Sequence, residues 1–98
     1  IHVSQVLPSW KDTGNTALGA KWDAYERSLV LHENGHTVID ITEAQALLSD
    51  LQTLPAMPCD QIAVAANTIT NNHIAALNAA NNNYDSTTGH GTYQGATW

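Results

Sequence analysis

The chain has 98 residues, 43% hydrophobic and 12% charged, and its 9 Asp and Glu against 3 Lys and Arg give a net charge of −6. That is one small domain or part of one, and Lys11, Lys21 and Arg27 are too few cations to neutralise a run of phosphates, which argues against nucleic acid and anionic membrane surfaces as partners. No apolar run approaches the roughly 18 to 20 residues needed to cross a bilayer, and no basic-then-apolar leader opens the chain, so no membrane span is expected.

Phe is absent, and the apolar share leans on 14 Ala with three Trp and three Tyr as large anchors. A core that thin leaves a free-standing domain marginal and favours a partner. Opening on Ile1 rather than Met, the sequence reads as a processed form or a fragment. Cys59 is the only cysteine, which excludes an internal disulfide and a thiolate metal cluster. It is either an idle thiol or one that pairs outside these residues, the latter fitting a secretion-like composition low in Lys and rich in Asn, Thr and Gly.

Residues 1–7 (I-H-V-S-Q-V-L), closed by Pro8, predict a short edge strand, and residues 9–15 predict a turn ending in the helix N-cap Asn15. Leu18, Trp22, Tyr25, Leu29, His32, His36 and Ile39 then recur in steps of three and four, the face of a helix continuing to about Ser49. A break near Gly35 or after Asp40 is expected in so long a helix. The loop of residues 50–58 carries Pro55 and Pro58, and a second helix should begin near Cys59 or Asp60 with the stripe Ile62, Ala66, Ile69, His73, Ala76 and Ala80. Past Ala80, the Asn-, Thr- and Gly-rich remainder predicts a loop anchored by Tyr84, His90, Tyr93 and Trp98.

His32-Glu33-Asn34-Gly35-His36 is H-E-x-x-H inside the first predicted helix. Positions four apart share a face about 6 Å apart along the axis, so two imidazoles can converge on one zinc ion, and the Glu can act as general base toward a metal-bound water. Two core histidines beside an exposed Glu would also satisfy the pattern, but both rings fall on the buried stripe, where unpaired polar groups are costly. A catalytic zinc takes three protein ligands, so a third is needed. Asp40, about 12 Å from His32 along one straight helix, is too far and reads as an acceptor for the free ring nitrogen of His36. His73, facing the pair across a hairpin that turns near Leu54, and His90, presented by the turn T-G-H-G, remain as candidates. His2 reads as a surface residue.

The set L-P-x-W at residues 7–10, W-D-A-Y-E-R-S-L at 22–29, H-E-x-G-H at 32–36 and Y-D-x-x-T-x-H-G at 84–91 followed by Q-G-A resembles the domain of unknown function 922 family, regarded as secreted zinc-dependent proteases of the zincin type. The resemblance spans nearly the whole chain. It implies metallopeptidase chemistry with His32 and His36 as zinc ligands and Glu33 as base. It favours His90 over His73 as the third ligand, with Asp85 as fallback. Family members carry a further strand-rich N-terminal portion, of which residues 1–7 look like the last strand, and which could hold a partner for Cys59. Without it, a groove that aligns a peptide by strand addition would be incomplete.

The expected architecture is therefore an α+β, zincin-like single domain over residues 1–98: a short strand, two long antiparallel helices, and a C-terminal loop over the site. The expected function is zinc-dependent peptide hydrolysis by a secreted, periplasmic or cell-surface enzyme, with a phenol from Tyr93 or Tyr84 stabilising the oxyanion. The partners would be a peptide or protein substrate and an upstream segment or further copies of the chain. The alternative is a non-catalytic structural or assembly subunit that keeps the metallopeptidase fold.

Overall fold

Asn15 sets the start of the first helix. In the computed structural model, which describes residues 1–10 and 14–98, its side-chain oxygen accepts a hydrogen bond from the Leu18 N–H at 2.9 Å, satisfying one of the free donors at the helix N-terminus. Helix α1 then runs unbroken over Thr16–Gln52, 37 residues. The expected break at Gly35 or after Asp40 does not occur. The loop of residues 53–58 leads into α2, Cys59–Thr88, whose first turn carries Asp60 where the helix dipole favours a negative charge. Gly89 closes α2 in the left-handed conformation, and a 3-10 turn, η1, follows over Thr92–Gln94.

Two helices side by side replace the expected α+β zincin architecture, and the described residues contain no strand or sheet. Residues 1–7 form no ladder because no second strand lies beside them to accept their backbone hydrogen bonds. The segment is tied to α1 by a side chain instead: Gln5 Nε2 donates to Thr37 Oγ1 at 2.7 Å and to Asn34 Oδ1 at 3.3 Å. Part of the turn expected over residues 9–15 lies outside the described residues.

The C-terminal loop expected after Ala80 is also corrected. Residues 81–88 are the last two turns of α2, despite Asn, Asp, Ser and Thr, which are poor helix formers in isolation. What holds them is tertiary: Asn81, Tyr84, Asp85 and Thr88, spaced three and four apart, all bond to groups on α1 or to the side chains that do. At the other end of α2, residues 59–64 are all exposed, including the single cysteine, Cys59.

The inward stripe of α1 follows the expected periodicity, with Leu18, Trp22, Tyr25, Leu29, His36 and Ile39 half-buried and His32 fully so. Among the described residues the only buried hydrophobic one is Ala96. The chain ends meet at an aromatic cluster beside the start of α1: Trp22 lies 5.7 Å from Trp10 and 6.1 Å from Trp98, and Tyr25 packs edge-on to Trp98. This cluster pins the turn after α2 against α1, about two to three turns before His32.

Candidate metal centre

The most buried polar side chain, His32, lies where three elements meet: α1 carries it, the end of α2 faces it, and the turn through η1 covers it. Gly91 makes that cover possible. Its φ is +91°, and a Cβ there would stand 3.2 Å from His32 Cβ and Cγ, so a side chain would be both strained and crowded. Tyr84 reaches across from α2 and stacks nearly parallel on the His32 ring, 5.0 Å between centroids, while meeting His36 edge-on. Its hydroxyl passes over Gly35 closely enough that a Cβ on residue 35 would fall 2.0 Å from the phenol oxygen. The glycine of H-E-x-G-H is the space in which that phenol sits.

His32 and His36 are one turn apart, with ring centroids 4.8 Å from each other. Their Nε2 atoms are 3.2 Å apart, and Asp85 Oδ1 stands 2.8 Å from the His36 nitrogen and 3.2 Å from the His32 nitrogen. Donors about 2.0–2.1 Å from a tetrahedral ion are roughly 3.3 Å from one another, so this spacing fits one small divalent cation. Two imidazoles and a carboxylate are a donor set that suits zinc. Their ligand-capable atoms all lie within 4.8 Å of one another.

Burial is the largest influence on the His36 ring and works against its charged form. The hydrogen bond to Asn81, the charge of Asp85 and its hydrogen bond, and the Glu33 carboxylate outweigh burial, holding the ring above the ordinary histidine value. Negative charge around the imidazoles therefore favours a positive occupant. Glu33 itself is half-buried on α1, next to His32.

The other sequence candidates fall elsewhere. The His90 side chain is 80% exposed, because residues 89–91 all have positive φ and the turn they make directs it outward. Its Nδ1 is 3.8 Å from the second Asp85 oxygen, Oδ2, and it does not join the converging trio. His73 lies between two α1 carboxylates, with Nδ1 2.5 Å from Glu43 and Nε2 2.6 Å from Asp50. A hairpin symmetric about Leu54 would set His36 opposite His73. The observed pairing sets it opposite Asp85, about three turns further along α2. Asp40 is not the direct acceptor for His36 that was expected: it accepts from Asn81 Nδ2 at 3.0 Å, and it is Asn81 Oδ1 that lies 2.7 Å from His36 Nδ1. Tyr93 is 80% exposed, whereas the Tyr84 hydroxyl donates to the His32 carbonyl at 3.0 Å.

Asn81 was not singled out from the sequence, and Thr88 and Gln94 entered only as fixed positions of the C-terminal motif, without a role. The signal for Asn81 and Thr88 is a polar stripe, Asn81, Tyr84, Asp85 and Thr88, with helical spacing but no apolar member apart from a phenol ring. A search for apolar periodicity passes over it.

The family described as "Bacterial protein of unknown function (DUF922)" matches residues 1–91, and the chain belongs to that family. Comparison with curated proteins and comparison with solved structures each find no match.

Proposed function

We propose that this member of the family is a zinc-dependent peptide hydrolase, with the ion held by His32, His36 and Asp85. The observation that carries the reading is the convergence of two imidazole nitrogens and a carboxylate oxygen at 2.8–3.2 Å, with a glutamate next along the helix. Bound there, zinc would polarise the scissile carbonyl and acidify the attacking water. Glu33 accepts the proton of that water and returns it to the leaving amine nitrogen. Tyr84 is committed to the His32 carbonyl and keeps the first ring in place. This leaves the exposed Tyr93 as the phenol free to approach a developing oxyanion. A place of action outside the cytoplasm is supported by a composition low in Lys and rich in Asn, Thr and Gly.

Metal content by mass spectrometry, alongside cleavage of a mixed peptide library, tests the reading. About one zinc per chain is expected, lost in His32→Ala, His36→Ala and Asp85→Ala and retained in His90→Ala. Glu33→Gln should keep zinc and helicity but lose cleavage by 10²-fold or more. Zinc retained in Asp85→Ala but lost in His90→Ala would move the third ligand to His90, and cleavage unchanged in Glu33→Gln would remove Glu33 as base.

A second reading, a non-catalytic assembly subunit, is favoured by the exposure of Leu31, Val38, Val64 and Ile74 along both helices. Stoichiometric zinc without any cleavage would select it.

A further inference from the structure

We infer that Asn81 and Gln94 are positioning residues that fix the proton of each site histidine on Nδ1 and so leave both Nε2 atoms as open electron pairs. The inference rests on the metal-site reading above and concerns how the chain prepares that site.

Each histidine ends a chain of hydrogen bonds whose direction is set at its far end by a group that can only accept. For His36 the far end is the Asp40 carboxylate. It takes the Asn81 Nδ2–H at 3.0 Å, which turns the carbonyl oxygen of the same amide toward His36 Nδ1 at 2.7 Å. An amide oxygen has no proton to give, so Nδ1 carries it.

For His32 the far end is its own backbone carbonyl. The Tyr84 hydroxyl donates to that carbonyl at 3.0 Å, and the phenol oxygen takes the Gln94 Nε2–H at 3.0 Å. The Gln94 carbonyl oxygen is thereby presented to His32 Nδ1 at 2.9 Å. Thr88 agrees: its hydroxyl donates to the Tyr84 carbonyl at 2.7 Å, leaving a lone pair toward His32 Nδ1 at 3.3 Å. Two relays, one through Asn81 of α2 and one through Tyr84 of α2 and Gln94 of η1, thus each present an amide oxygen and reach the same tautomer.

The consequence falls on the centre of the site. With both Nδ1 atoms protonated, the neutral rings place two nitrogen lone pairs and one carboxylate oxygen 2.8–3.2 Å from one another. Three electron-rich atoms at that distance repel unless a cation stands between them. Without the relays, either ring could carry its proton on Nε2 and donate it to Asp85, which would satisfy the cluster with no metal at all. In the neutral rings, Asn81 and Gln94 forbid that self-satisfied arrangement.

Nitrogen NMR of the imidazoles in the metal-free chain, followed to the alkaline end of a pH series, reads the tautomer directly and independently of activity. Both site rings are expected as Nδ1–H. Asn81→Leu should convert only His36 to Nε2–H and Gln94→Leu only His32, each with zinc affinity lowered about 10- to 100-fold. Circular dichroism confirms that the variants keep their helices. The paired exchange Asp40→Asn with Asn81→Asp restores an acceptor against His36 Nδ1 and a donor between the helices without changing net charge, and should restore both the tautomer and the affinity. Rings found as Nε2–H in the unaltered chain, tautomers unmoved by either leucine, or no rescue by the exchange would each overturn the inference. Zinc binding at one per chain with unmoved tautomers would sink the relays and spare the metal site. Tautomers that move as expected in a chain that takes up no zinc would uphold the relays and sink the metal reading.

Discussion

Gly35 is the residue on which most of the site geometry turns. The Tyr84 phenol occupies the space of its missing side chain, and from there it both supports His32 and receives Gln94. Alanine in a helix gains roughly 1 kcal/mol over glycine. Here the clash must displace a stacked ring, an overpacking cost of about 1–3 kcal/mol. Gly35→Ala should therefore destabilise the metal-free chain in urea, against the usual helix trend, and weaken zinc binding as well. A more stable variant with intact metal affinity would contradict the packing described. The sequence made the two histidines, Glu33 and the inward face legible, since each follows from helical spacing alone. The fixed Gly remained opaque in it, because what it accommodates is 49 positions away on the other helix.

Among the elements, α2 was half legible. Its start could be read from Pro58 and Asp60 and its middle from apolar spacing, but its last two turns are held by polar contacts to α1 rather than by propensity. Tyr84→Ala should accordingly release those turns, seen as fast amide exchange over residues 81–88 with the middle of α2 still protected. Register was not legible either, because a six-residue loop with two prolines does not fold back symmetrically about Leu54. The pairing of the helices toward their turn carries its own pH dependence. His73 is held above the ordinary histidine value, first by its hydrogen bond to Asp50 and next by that to Glu43, which outweigh burial. A raised folded-state value means that the protonated bridge stabilises fully below about pH 6.5 and fades as pH rises through the folded value. The thermal midpoint should be higher near pH 6 than near pH 9, and His73→Gln should shrink that difference, leaving the part due to His36, whose value is raised too. A midpoint that rises with pH would refute this.

At the scale of the whole molecule, the chain is a rod, 67 × 24 × 15 Å, with a radius of gyration of 19.4 Å against about 13 Å for a compact chain of 100 residues. Two helices alone enclose little, as the thin apolar composition anticipated, and Leu31, Val38, Leu48, Val64 and Ile74 remain about half exposed or more. Purified alone, the chain should melt broadly and at a midpoint that climbs with concentration as apolar faces associate. A sharp, concentration-independent transition of a monomer in the ultracentrifuge would argue otherwise.

Two of the three converging side chains come from α1 and the third from α2, so the cavity for an ion exists only while the two helices stay together. Ion capture and hairpin closure are then a single equilibrium. Free zinc at a hundred times its dissociation constant would contribute about 2.7 kcal/mol to a molecule with almost no core of its own. A chelator would therefore do more than empty the site: it would lower the stability of the whole hairpin by the same amount.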